Sequence, residues 1–121
     1  MSTKKTLVIG ASENPVRYSN IAINRLKGKG HEVLALGLKA GNVAGVPIQT
    51  GQPEIEDLDT VTLYVGSDKQ QDLIEYVIGL HPERVIFNPG TENTYFEERL
   101  MEAGIEVTEA CTLVLLSTGQ Y

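Results

Sequence analysis

Short apolar runs alternate with longer stretches whose apolar residues recur at helical spacing, and the alternation runs the length of the chain. Thr6-Leu-Val-Ile9 is β-branched and apolar, ends at Gly10, and reads as a strand buried on both faces. Residues 19–29 follow as a helix: Ala22, Ile23 and Leu26 form one stripe, Lys27 and Lys29 suit the negative end of the dipole, and Gly28 and Gly30 stop it. Residues 32–36 form the second strand. Residues 37–53, rich in Gly and Pro, read as a long loop around a short extended piece at 46–49. Residues 60–65 alternate and make the third strand. A helix over 68–80 carries Leu73, Ile74, Val77, Ile78 and Leu80 on its apolar side, with Ser67 or Asp68 as its N-cap. Residues 84–87 are the fourth strand, ended by Asn88-Pro89-Gly90. A helix over 91–103, with Phe96, Leu100 and Met101 inward, stops at Gly104. Residues 105–108 are the fifth strand, and 110–116 read as a short closing helix, with a strand as the other option.

Strand and helix in regular alternation specify an α/β fold with crossover helices on both faces of a parallel sheet. The expectation is a three-layer, Rossmann-like single domain over 1–121, with a mainly parallel five-stranded sheet in the order 3-2-1-4-5. A flavodoxin-like 2-1-3-4-5 order is the competitor. In either order a ligand binds beyond the carboxyl ends of the strands, at the point where the strand order reverses. That edge collects residues 10–19, 37–39, 66–67 and 88–92.

The first of these turns carries the strongest chemistry. In Ile9-Gly10-Ala11-Ser12-Glu13-Asn14-Pro15-Val16-Arg17, Gly10 permits a tight turn, while the small Ala11 and Ser12 allow backbone N–H groups to approach a pyrophosphate. The start of the first helix adds a partial positive charge, and Arg17 is a multi-donor phosphate partner at its mouth. The motif lacks the second and third glycines of G-x-G-x-x-G, so a plain βα turn would also account for it. At the end of the second strand, NAD-binding folds carry an acidic residue for the ribose. Here the chain has Leu36-Gly37-Leu38-Lys39, and a lysine at that edge favours a ligand with an extra phosphate, NADP or coenzyme A, over NAD.

The segment V-I-G-A-S-x-N-P-x-R, followed by Ser19-Asn20, a helix and Gly30-His-Glu-Val33, resembles the small CoA-binding proteins. The same domain begins the α-subunit of succinyl-CoA synthetase and related acyl-CoA ligases. The resemblance continues through Gly45-Val-Pro47, the strand near 61–65 and the late A-G-I-E-V-x-E-A-C at 103–111. It implies a Rossmann-type domain that holds coenzyme A through Gly10, Ala11, Ser12, Asn14, Pro15, Arg17 and Ser19. The end of strand two (Gly37, Leu38, Lys39) and the turns after strands three (Val65, Gly66, Ser67) and four (Asn88, Pro89, Gly90) complete the implied site. Two positions depart from the family's habit. Asn-Pro before the strand-two lysine is replaced by Gly37-Leu38, and a Gln-Leu-Gly-like turn is replaced by Asn88-Pro89-Gly90. Both touch the expected adenine and pantetheine walls.

Composition narrows the ligand class. A net charge of −6 in 121 residues argues against a nucleic-acid surface. No apolar run approaches the roughly 20 residues a membrane span requires. The single cysteine, Cys111, excludes an internal disulfide and points to a reducing cytoplasm. Its neighbours are apolar or acidic, so a buried, inert thiol is expected. His31 and His81 sit in turns at the amino ends of strands. No Ser/His/Asp set, paired acids, Walker lysine or metal-ligand spacing can be assembled, and the phosphohistidine chemistry of the acyl-CoA ligases belongs to other domains. The reading is a stand-alone, non-catalytic module for coenzyme A or an acyl-CoA, with no metal. The alternatives are an NADP-type half-domain and a ligand-free scaffold for protein contact. A homo-oligomer or partner protein stays open.

Overall fold

The computed structural model describes residues 3–121. Its elements are β1 (Thr6–Ile9), α1 (Tyr18–Gly28), β2 (Val33–Leu36), β3 (Gly41–Val43), β4 (Val46–Gln49), β5 (Thr60–Leu63), α2 (Ile74–Leu80), β6 (Arg84–Phe87), α3 (Thr94–Glu102), β7 (Glu106–Glu109) and α4 (Thr112–Ser117). Seven strands form one sheet in the order β3-β4-β2-β1-β5-β6-β7. All pairs are parallel except β3 with β4.

The expected five-stranded sheet in the order 3-2-1-4-5 is therefore corrected. The strand expected third, β5, pairs with the opposite side of β1 from β2. The place beside β2 belongs to β4, a piece that the sequence reading left inside a loop. Counting β4 as the third parallel strand restores a Rossmann-like order of six, 3-2-1-4-5-6, with β3 as an antiparallel edge. The reason is a hairpin. Ala44 and Gly45 both have positive φ, 52° and 85°, the signature of a type I′ turn that matches strand twist. Asn42 Oδ1 accepts from Gly45 N–H at 3.0 Å, and Lys27 Nζ donates to the Ala44 carbonyl at 2.7 Å. The hairpin returns the chain to the carboxyl side of β2 without a helix.

The sheet separates two cores. Leu7, Ile9, Val61, Leu63, Val85 and Phe87 point to α2 and α3, where Phe96 meets Phe87 edge-on with ring centroids 5.3 Å apart. Val8, Ala35, Val46 and Ile48 point to Ile23 and Leu26 of α1 and Leu116 of α4. On this second face buried threonines need hydroxyl partners. Thr62 bonds Thr112 at 2.7 Å, and Thr6 bonds the Tyr121 hydroxyl at 2.6 Å.

Two helices start later than their periodicity predicts. The helix expected over 68–80 is two short 3-10 turns, Ser67–Lys69 and Gln71–Leu73, followed by α2. Neither Ser67 nor Asp68 caps it. The break lies at Gln70, whose side chain is fully buried. Its amide nitrogen donates to the carbonyls of Val65 and Thr91, both at 2.7 Å, which pulls this residue into the fold before a helix can form. The helix expected from residue 91 starts at Thr94 instead. Asn93 is its N-cap, accepting from Phe96 N–H at 3.1 Å, while Glu97 accepts from Asn93 N–H at 3.0 Å. The closing segment is helical, as α4.

Candidate functional site at the carboxyl edge of the sheet

The strand order reverses between β1 and β5, so the candidate ligand edge is formed by the loops after these strands. Gly10, with φ +95°, leaves β1 against the β5 loop: a Cβ there would lie 2.9 Å from the Tyr64 carbonyl oxygen. Its role in the fold is close backbone packing. The N–H groups of Gly10 and Ala11 both donate to the Leu36 carbonyl, at 2.9 and 3.0 Å. They are therefore turned into the sheet rather than toward a pyrophosphate. The N–H groups of Ser12 and Glu13 have no partner among the described residues.

Past Ala11 the loop builds its own scaffold. Ser12 Oγ accepts from Asn14 N–H at 3.1 Å, and Asn14 Oδ1 accepts from Val16 N–H at 3.1 Å. The Asn14 carbonyl accepts from Arg17 N–H at 3.1 Å. Asn20, in the first turn of α1, donates to the Ser12 carbonyl at 2.9 Å. Residues 13–18 are exposed, Pro15 and Arg17 among them, whereas Ser19 is buried beneath the loop. Arg17 is the N-cap residue of α1 by backbone position, its side chain makes no cap bond, and the first turn holds no acidic residue.

The loop leans over the end of β2. A Cβ on Gly37 would lie 2.5 Å from the Ala11 carbonyl oxygen, so only glycine lets the two turns touch. The next residues, Leu38 and Lys39, project outward, and Leu38 is 100% exposed. Val16 and Tyr18 on the neighbouring turn are 77% and 70% exposed, unusual for such side chains. Neither Arg17 nor Lys39 forms an ion pair among the described residues, where the one salt bridge joins Arg99 to Glu75.

The other side of this edge is held by buried polar groups. Asn88 donates to Thr62 Oγ1 at 2.8 Å and to the Leu63 carbonyl at 2.9 Å, and accepts from Thr112 N–H at 2.8 Å. Its side chain is thus buried and satisfied inside the fold, and only its backbone reaches the edge. Gln70 joins the Val65 carbonyl to the Thr91 carbonyl and accepts from Asn93 at 3.0 Å. Gly66, Ser67, Pro89 and Gly90 are exposed at the rim, with Val65 half-buried below them. The Gly90 N–H is held by Glu92 at 2.9 Å.

Two further groups lie here: Tyr64, which the sequence did not mark, and Cys111, which was expected to be buried. The Tyr64 hydroxyl, directly after β5, is buried without a hydrogen-bond partner. Burial pushes its pKa up to about 12, and the nearby Thr62 and Thr112 hydroxyls offset only part of that. Cys111 is a free thiol, half-buried rather than buried, at the N-cap of α4. The chain crosses there from β7 to the α1 face, with Thr112 bonded to β5. No group of three His, Cys, Asp or Glu among the described residues could hold a metal ion, and no described helix is long and apolar enough to cross a membrane. Concavities of about 390 and 460 Å³ lie at the opposite end, near His81 and near His31.

A family model for the CoA binding domain matches residues 4–117, nearly the whole chain and every loop of this edge. The chain belongs to the CoA binding domain family. No curated protein matches it. Among solved structures, an uncharacterized protein is 48% identical, with complete coverage of both chains and a TM-score of 0.97. Cell-free ID.343 from Thermus thermophilus shares the fold at 24% identity and a TM-score of 0.84, covering 98% of this chain and 91% of its own. The dinucleotide-forming acetyl-coenzyme A synthetase 1 of Ca. Korarchaeum cryptofilum, solved with phosphate and ADP, matches 89% of this chain with 26% of its own, at 20% identity and a TM-score of 0.68. In that protein the family's fold is one part of a larger chain.

Proposed function

We propose that this chain is a stand-alone, non-catalytic module of one domain that binds coenzyme A or an acyl-CoA at the carboxyl edge of the sheet. The observation that carries the reading is the pair of free cations, Arg17 and Lys39. They sit on two loops that touch at Ala11 and Gly37 and are flanked by exposed Val16, Tyr18 and Leu38. Cations answer the phosphates by charge-assisted hydrogen bonds, and apolar side chains answer the flat adenine and the pantetheine arm. The free N–H groups of Ser12 and Glu13 and the start of α1 add donors for the pyrophosphate. Gly66, Ser67, Pro89 and Gly90 form the far rim, resting on the Gln70 and Asn88 staples. Membership of the CoA binding domain family supports the same ligand. A reducing, cytoplasmic setting agrees with the free Cys111.

Calorimetric titration with CoA, dephospho-CoA, NADP and NAD tests the reading. CoA is expected to bind, and at a hundred times its Kd to stabilise the fold by about 2.7 kcal/mol. Binding of NADP in preference to CoA would move the protein to the NADP-type alternative, which the lysine and the missing carboxylate at the end of β2 also suit. Binding of none would leave a scaffold.

A further inference from the structure

Glu13 stands in the middle of the exposed turn, between the unpaired N–H groups and the hairpin. Its Oε2 accepts from Asn42 N–H, on β3, at 3.0 Å. The side chain lies flat on the start of β3: a Cβ on Gly41 would meet its Cδ at 2.5 Å and its Oε1 at 2.9 Å. A carboxylate therefore takes a backbone donor at the edge that the cations Arg17 and Lys39 serve, and ties the loop after β1 across the ends of β2 and β4. An anion approaching that edge meets a like charge already bonded there. We propose that Glu13 is an anionic latch that sets the ligand specificity of this edge: held on β3 by Asn42, it repels a ligand's phosphates and lowers affinity most for ligands carrying the most phosphate. This rests on the reading of the edge as a coenzyme A site.

The physical argument is one of sign and place. Like charges at an exposed site repel by an amount worth about a two- to fivefold change in affinity. Acidic groups set against a wrong ligand are a general route to specificity. The latch has a mechanical partner in Gly41, whose missing side chain is the space that Glu13 occupies. Gly41 does not have positive φ, so alanine is allowed there by the backbone and pushes only the end of a flexible side chain.

Two variants separate charge from place. Glu13→Gln keeps the shape and removes the charge, and Gly41→Ala keeps the charge and displaces it. Calorimetry with CoA and dephospho-CoA is run on both and on the unaltered protein, with melting curves to establish folding and amide exchange followed at Asn42. Both variants are expected to bind CoA about two- to fivefold tighter, with a smaller gain for dephospho-CoA. Asn42 exchange is expected to quicken in Gly41→Ala. Equal or weaker CoA binding by Glu13→Gln overturns the latch while leaving the coenzyme A reading in place. Tightening in Glu13→Gln alone, with Gly41→Ala unchanged, overturns the role of the Asn42 contact. If the unaltered protein binds neither ligand but Glu13→Gln binds CoA, the latch stands and the coenzyme A reading of the native chain falls. If no form binds either ligand, both fall.

Discussion

The two sides of the carboxyl edge are built from opposite materials. On the β1–β2 side, residues 13–18 and 38–40 are exposed, their side-chain bonds are local apart from that of Glu13 to Asn42, and two cations have no acidic partner. On the β5–β6 side, Gln70, Asn88 and Thr91 are buried and every amide is bonded across elements that lie far apart in sequence. A buried polar network is rigid because breaking one bond leaves groups that water cannot reach. An exposed turn loses little when a bond breaks, since water replaces the partner. The edge therefore pairs an adaptable half, suited to recognising charge, with a fixed half, suited to being a wall. The two cations belong to the first half, although the sequence motifs draw residues from both.

The largest effect should come from breaking the wall. Asn88→Ala removes the amide partner of Thr112 N–H and the Leu63 carbonyl inside the fold, leaving Thr62 bonded to Thr112 alone, and should cost about 2–4 kcal/mol in urea unfolding. If that variant keeps its stability, the contrast between the halves is wrong. Gly37→Ala attacks the seam. Its Cβ must push on the Ala11 carbonyl, a backbone atom, so a loss of about 1–3 kcal/mol is expected together with weaker CoA binding. Gly10→Val belongs to the same class: its side chain strikes the Tyr64 backbone at φ +95°, so its melting temperature should fall along with any loss of binding.

In the adaptable half the order reverses. Arg17→Ala and Lys39→Ala should leave the melting curve nearly unchanged yet weaken CoA by about tenfold to a hundredfold, the worth of a charge-assisted hydrogen bond. If Lys39 meets the 3′-phosphate, its variant will no longer distinguish CoA from dephospho-CoA. Equal losses for both ligands would place Lys39 elsewhere.

The smallest effect lies at the far end of the sheet and serves as a control for both halves. His31 accepts from Lys4 N–H at 2.9 Å through Nδ1. Its pKa is lowered, chiefly by burial and then by the Lys4 and Arg84 charges. A histidine depressed in the fold takes up protons more readily when unfolded. Its contribution is complete above the ordinary value of 6.5 and is lost as pH falls below it. A slight drop in the urea midpoint between pH 7 and 5, absent in His31→Gln, is the expected outcome, with CoA binding by the two proteins responding alike.

Much of this architecture was legible in residue order. The buried β1, β5 and β6 show as apolar or β-branched runs, and the stripe of α1 shows at helical spacing, because each is a local pattern of side chains against one sheet face. The turn from Gly10 to Arg17 stands out as candidate chemistry because its residues are consecutive, although the N–H groups of Gly10 and Ala11 prove to bond the sheet. The hairpin was not legible. Its strands are three and four residues long, one contains Pro47, and its turn is Ala44-Gly45 rather than Asn-Gly. That single omission misplaced β5 and hid the strand beside β2.

Sequence by itself determined the alternation of elements, the acidic surface, the cations at the first two turns and the kinship with CoA binding domains. Tertiary structure alone decided which side of the edge is open. Asn88 reads as a turn residue and Gln70 as part of a helix in sequence, yet both turn inward because carbonyls and a hydroxyl from β5 and the turns after it and before α3, and the Thr112 N–H at the start of α4, converge on them. Glu13 looks like a solvated acid, yet it reaches Asn42, twenty-nine positions away, because the hairpin carries β3 to the edge. Both outcomes depend on partners remote in sequence, and a hydrogen bond between remote residues leaves no periodic trace in the order of either.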